Sequence, residues 1–272
     1  MDSRPYSRFQ LAKKYLRYWL HADNGKGHGI HSPFVYAFVR EVLMEIDFSQ
    51  PLASREIEKL RKRLLSDNSV LQVEDWGAGS TQQGRQRERR VSDIAKHAAK
   101  SSRWGALLHR SVAYFQPKGI VELGTSLGLS GAYLASARFG APFYTIEGSP
   151  KVAERARQHF KELGMTDVEV VTGQFDNCLP QLLPQLPKPF FAYVDGNHQE
   201  EPTINYFHQL KANADADTVL VFDDIHWSAG MEAAWETIKN DPAVTCTIDL
   251  FFVGFVFFRP GIRPARHFTI RY

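Results

Sequence analysis

Residues 121–131 read Val-Glu-Leu-Gly-Thr-Ser-Leu-Gly-Leu-Ser-Gly, and the next apolar run, Phe143-Tyr144-Thr145-Ile146-Glu147, closes on a second acid. A short apolar strand, a glycine turn, a helix start and a carboxylate ending the neighbouring strand make up a nucleoside-binding corner of an α/β sheet. The competing reading leaves Glu122 and Glu147 as polar strand ends and gives the glycines only a turn to make.

The glycine spacing selects among nucleosides. Dinucleotide sites use G-x-G-x-x-G, which crowds the backbone onto a pyrophosphate at a helix N-terminus. Here Ser126 stands where the middle glycine would be, between Gly124 and Gly128. That pattern suits S-adenosyl-L-methionine, which carries no phosphate. Gly124, Thr125 and Ser126 bring backbone close to the cofactor, and the helix opening near Leu129 offers N–H groups to its carboxylate. Ser130 adds a hydroxyl, and Glu147 is placed to accept both ribose hydroxyl protons.

From Gly119 onward, apolar runs alternate with helical patterns, the mark of a parallel sheet wrapped by helices. Strands are expected at Ile120 to Leu123, Phe143 to Glu147, Val168 to Thr172, Phe190 to Asp195 and Val219 to Asp223. Helices are expected from near Leu129, Pro150, Asp176, Glu201 and Ser228, with Ser149 as N-cap and Pro150 at the first helical position of the second. Two further runs, Val244 to Leu250 and Phe255 to Phe258, are joined too tightly for a crossover helix and must run antiparallel. The expected fold is α/β: a Rossmann-like seven-stranded mixed sheet whose last strand is antiparallel, with helices on both faces, over residues 101–272.

Composition bounds the rest. Of 272 residues, 43% are hydrophobic, enough for a core, and 33 basic against 30 acidic side chains leave a net charge of +3 with no overall pull toward nucleic acid or membrane. Cys178 and Cys246 form neither a disulfide framework nor a spaced zinc site, so a reducing, cytoplasmic setting is expected. The first residues mix Arg4, Arg8, Lys13, Lys14 and Arg17 among apolar positions, unlike a signal peptide. The longest apolar run, Leu250 to Phe258, is too short to span a bilayer.

Residues 1–100 read as a helical extension. Tyr6 to Ala22 is an amphipathic helix that packs on its own domain, on a second subunit as a homodimer, or on anionic lipid. Ser32-Pro33 opens a second helix running to about Ile46, and Arg55 to Leu65 is a third. Residues 75–90 read as a Gly- and Arg-rich mobile loop, a candidate lid. Its arginines have no interleaved aromatic residues to stack on bases, so a nucleic-acid partner is not expected.

The segment from about Arg103 to Arg259 resembles the class I S-adenosylmethionine-dependent methyltransferases, and within them the catechol-type and sugar O-methyltransferases. The residues that carry the likeness are Glu122 to Ser130, Glu147, Asp195-Gly-Asn-His198 and Asp223-Asp224. The resemblance implies a small hydroxylated acceptor and adenine contacts after the third strand, at Gly173 and Gln174. It also implies a metal held at the positions of Asp195, Asp223 and Asp224, the last being an asparagine in catechol-type enzymes. Three converging carboxylates would raise one another's pKa, a conflict that a hard cation such as Mg²⁺ removes. The alternative has Asp223 or Asp224 capping a helix and Asp195 bonding backbone or the cofactor's amino group. His198 and His226 are the candidate bases, and Trp227, Trp235, Phe251 and Phe252 are candidates for pocket lining or core. Two rival functions stay open: a metal-independent N-, protein or RNA methyltransferase, and a non-catalytic nucleoside-binding or assembly subunit.

Overall fold

The computed structural model describes residues 4–27, 30–44, 52–74, 86–98, 101–262 and 264–272. In chain order the elements are α1 (Arg8–His21), α2 (Pro33–Phe38), α3 (Leu52–Ser66), β1 (Val70–Glu74), β2 (Gln86–Arg90), α4 (Val91–Ala98) and α5 (Ser102–Phe115). Next come β3 (Gly119–Leu123), α6 (Leu129–Ser136), β4 (Phe143–Glu147), α7 (Pro150–Glu162), β5 (Val168–Thr172), α8 (Phe175–Leu182), β6 (Phe190–Val194) and α9 (Glu200–Asn213). The chain ends with β7 (Val219–Asp223), α10 (Ala229–Lys239), β8 (Cys246–Asp249), β9 (Val253–Phe257) and β10 (Arg266–Thr269). It divides into two compact units, one of residues 46–187 and one joining 1–45 to 188–272.

In the unit of residues 46–187, β3, β4 and β5 pair in parallel in that order, joined by helices as the alternation predicts. All five residues of β3 are buried, which is why Gly-Ile-Val-Glu-Leu shows no polar alternation. At the other end of this set, β5 is more open, with only Val170 buried, as befits an edge. Helices α5 and α6 touch through Gly105: a Cβ there would lie 2.3 Å from the Tyr133 ring. Tyr133 in turn donates to Glu58 of α3 at 2.6 Å, and Glu58 also accepts from Arg61 at 2.8 Å.

Residues 86–90, the described end of the expected arginine-rich loop, instead form β2, paired antiparallel with β1 in register Val70↔Arg90 to Glu74↔Gln86. A strand reading Gln-Arg-Glu-Arg-Arg has no apolar face, so nothing in its pattern announces it. Residues 75–85 of that loop lie outside the described residues.

In the other unit the strand order is β10-β8-β9-β7-β6. Strands β6 and β7 are parallel, β9 is antiparallel to β7, and β8 is antiparallel to β9, as the short connection requires. Among the described residues the mixed α/β sheet has one strand more than the seven expected. The addition is β10, four mostly exposed residues parallel to β8, too short and too polar to register as a strand in the sequence. Trp235 packs on Gly254 so closely that a Cβ there would meet its ring at 2.5 Å.

Helix α1 opens on a capping box of Ser7 and Gln10. It packs by Leu11, Tyr15, Tyr18 and Ala22 against Phe251 and Phe252, the tight turn between β8 and β9. Tyr18 also donates to the carbonyl of Ile270. Phe251 and Trp235 are therefore core, both at most 2% exposed.

Candidate active site

The unit of residues 46–187 carries the nucleoside corner. After β3 the backbone turns through Gly124 (φ 105°), Ser126 (φ 47°) and Gly128 (φ 84°), and Gly128 becomes the N-cap of α6. Positive φ at three positions within five residues is a conformation that glycine adopts without strain and serine only at a cost. A side chain at Gly128 would also press on Phe160, its Cβ 3.1 Å from the ring. The amides of Gly124 and Thr125 both donate to the carbonyl of Ile146, at 3.0 and 3.1 Å, which ties the turn to the end of β4.

Glu147 closes that end. One carboxylate oxygen accepts the amide of Ser126 at 2.8 Å and the other the amide of Ser149 at 2.9 Å. Burial pushes its pKa up, against the pull of these amides. The amide of Gly148 adds a third backbone hydrogen bond to the carboxylate. The side chain is thus held by backbone amides at the glycine turn.

Glu122 has a different place. It is fully buried, accepts from Thr145 at 2.6 Å, and Thr145 is linked to Thr125 at 2.6 Å. Burial pushes its carboxyl up to about 7, against hydrogen bonds from Ser130 and Thr145, while the charge of Glu147 adds to the rise. Glu122, Thr125 and Ser130 brace the turn from within. A Cβ at Gly131 would fall 2.7 Å from the Glu122 carboxylate, so α6 needs glycine there. Gly173 donates to the Glu147 carbonyl at 2.9 Å, joining the end of β5 to this corner, while Gln174 is exposed and starts α8.

The other unit carries the expected acids and histidines. Asp195 follows β6, Asp223 ends β7, and Asp224 (φ 52°) turns the chain away. His198 Nε2 lies 3.7 Å from Asp195 and 4.0 Å from Asp224, and its ring is 5.5 Å from that of Trp227. Tyr193, two residues before Asp195, donates to it at 3.2 Å; its position on the strand was the available signal, and the sequence reading passed over it. Asp223 is 1% exposed. Among the described residues no group of three or more His, Cys, Asp or Glu side chains is arranged to hold a metal ion.

His226 is not poised as a base. Its two ring nitrogens bond Glu232 at 3.0 Å and Asp249 at 2.8 Å. Burial alone would lower its pKa, but these two carboxylates outweigh it and hold the imidazole at about 9. At neutral pH it is a cation with no lone pair to offer. Glu232 also binds Lys14 at 2.9 Å and Tyr6 at 2.7 Å, so His226 belongs to the anchor of α1.

Comparison with known proteins agrees with this geometry. A family model described as a methyltransferase domain matches residues 121–225. A catechol O-methyltransferase of Niastella koreensis is 30% identical over 124 residues, covering 44% of this chain and 55% of that protein, so the chain spans about half the length of this curated relative. Among solved structures, an O-methyltransferase from Bacillus cereus in complex with SAH aligns with a TM-score of 0.54 at 20% identity, over 82% of this chain and 97% of that one. SAH-bound Podospora anserina methyltransferase PaMTH1 aligns with a TM-score of 0.54 at 16% identity, over 94% and 98%. At these identities the likeness is one of fold. The methyltransferase-domain match begins inside β3, takes in the glycine turn and Glu147, and ends just past Asp224, so it falls on the stretch whose geometry is described above.

Proposed function

We propose that the chain is an S-adenosylmethionine-dependent O-methyltransferase acting on a small hydroxylated acceptor. The observation that carries this reading is Glu147, a carboxylate fixed by the amides of Ser126, Gly148 and Ser149 beside the glycine turn, where it suits a ribose diol. The catechol O-methyltransferase relative supports oxygen as the acceptor atom. When bound, the cofactor supplies a methyl group on a sulfonium, already a strong donor, and what remains for the protein is to align and deprotonate the acceptor. His198 takes the acceptor's proton at Nε2. Asp195 and Asp224, each within about 4 Å, stabilise the imidazolium that forms. Trp227 beside His198 supplies an aromatic wall for a flat acceptor. No step is routed through a cation.

Calorimetric titration with S-adenosylmethionine tests the carrying observation. Glu147→Ala is expected to weaken binding about 10- to 100-fold, the range for losing hydrogen bonds to a charged group, with the fold intact by circular dichroism. Binding at wild-type strength would refute the ribose assignment.

A further inference from the structure

Helix α1 packs by one face and leaves the opposite one bare. Leu11, Tyr15 and Tyr18 hold it to its own unit, whereas Phe9, Leu16 and Leu20 are 80%, 58% and 64% exposed. At about 100° per residue these three side chains fall within about 40° of one another around the helix, a single stripe on the far side from the packed face. Lys13 and Arg17 run along one flank of the stripe, and Arg8 and the half-exposed Trp19 along the other. The helix contains no acidic residue.

We propose that this face of α1 lies in the interface of an anionic lipid membrane. An apolar ridge flanked by basic side chains and a Trp is the arrangement that such a surface receives: the ridge enters the acyl boundary while the cations stay with the lipid phosphates. A second copy of the chain is a poorer occupant, since two α1 helices would face each other with only basic charges. A ridge, unlike a groove, also asks for a partner that can deform around it, as a fluid bilayer does. Among the described residues no helix is long and apolar enough to cross a membrane, so the contact is peripheral. The docking is independent of the proposed reaction, because it uses none of the residues assigned to it.

The test is co-sedimentation of the full chain with phosphatidylcholine vesicles, with and without about a third phosphatidylserine. Binding is expected to strengthen at least about tenfold with the anionic lipid, and Lys13→Gln and Arg17→Gln are each expected to weaken it about fivefold. Phe9→Ser/Leu20→Ser is expected to abolish sedimentation with the melting temperature unchanged, since both side chains are exposed in the folded chain. Equal binding to both vesicles, no binding to either, or full binding by the double variant would overturn the proposal. So would light scattering that shows a wild-type dimer which Leu16→Glu converts to a monomer, or binding to polyglutamate in place of vesicles.

Discussion

Glu122 and Glu147 stand on neighbouring strands and read alike in the sequence, and burial raises both carboxyls, yet their partners differ. Glu147 faces backbone amides at the rim of the turn, whereas Glu122 is fully buried among Thr145, Ser130 and Gly131. A carboxyl raised from 4.5 to about 7 by burial favours the folded state only while protonated. Its contribution is complete below pH 4.5, the ordinary value, and is lost as pH rises through about 7. Stability of the wild type is therefore expected to fall between about pH 5 and pH 8 by about 2 to 3 kcal/mol more than that of Glu122→Gln, at about 1.4 kcal/mol per pKa unit. Denaturant midpoints at the two pH values check this, and parallel curves for both proteins would show that Glu122 is ionised in the folded chain at low cost. The pair was legible as acids at strand ends because glycine spacing and strand length are local signals. Which of the two meets a ligand was not, since it depends on Thr145 and Gly131 closing around one and backbone amides around the other.

At the scale of the element, α1 shows what a single sequence hides. Its amphipathic spacing is plain, but the tether from Lys14 and Tyr6 through Glu232 to His226 and Asp249 joins residues more than two hundred positions apart. No local pattern encodes it. His226 looked like a base because it follows two aspartates, and the two carboxylates that make it a cation come from α10 and the end of β8. The tether sets a pH window. His226, raised to about 9, stabilises fully below its ordinary 6.5 and loses that contribution as pH rises through about 9. Glu232, which burial would raise, is held down to about 2 by His226, Lys14 and Tyr6, so its contribution is full above 4.5 and lost as pH falls through about 2. Glu232→Gln is expected to cost about 2 kcal/mol near pH 6, the scale of hydrogen bonds to charged groups. The difference from wild type should shrink above about pH 9, where His226 loses its proton. Thermal melts across that range decide it: a penalty that stays constant at high pH would mean that His226 is neutral throughout. The same long-range logic explains β10 and β2, whose polar residues become strands only because β8 and β1 offer them an edge.

Across the whole molecule, the residues proposed for cofactor binding and for catalysis fall in different units. The glycine turn and Glu147 lie in residues 46–187, and the aspartates with His198 lie in the unit completed by residues 188–272. Cofactor affinity and turnover should therefore respond to different substitutions. His198→Ala is expected to leave S-adenosylmethionine affinity within about twofold of wild type while lowering kcat by about 10² or more, the usual share of a general base. The loss should be greatest at low pH and partly relieved as rising pH ionises the acceptor without help. The expectation that three aspartates bind Mg²⁺ came from counting carboxylates at strand ends, which the sequence supplies. Their mutual distances depend on backbone direction, which spacing along the chain does not encode; at Asp224 the backbone is left-handed. With His198 as the proposed base, turnover is expected to persist in EDTA. The decisive comparison is kcat for wild type, His198→Ala and Asp224→Ala, each with EDTA and with added Mg²⁺. If chelation stops the wild type, Mg²⁺ restores it, and Asp224→Ala alone loses the response, the acceptor is activated by a cation and not by His198.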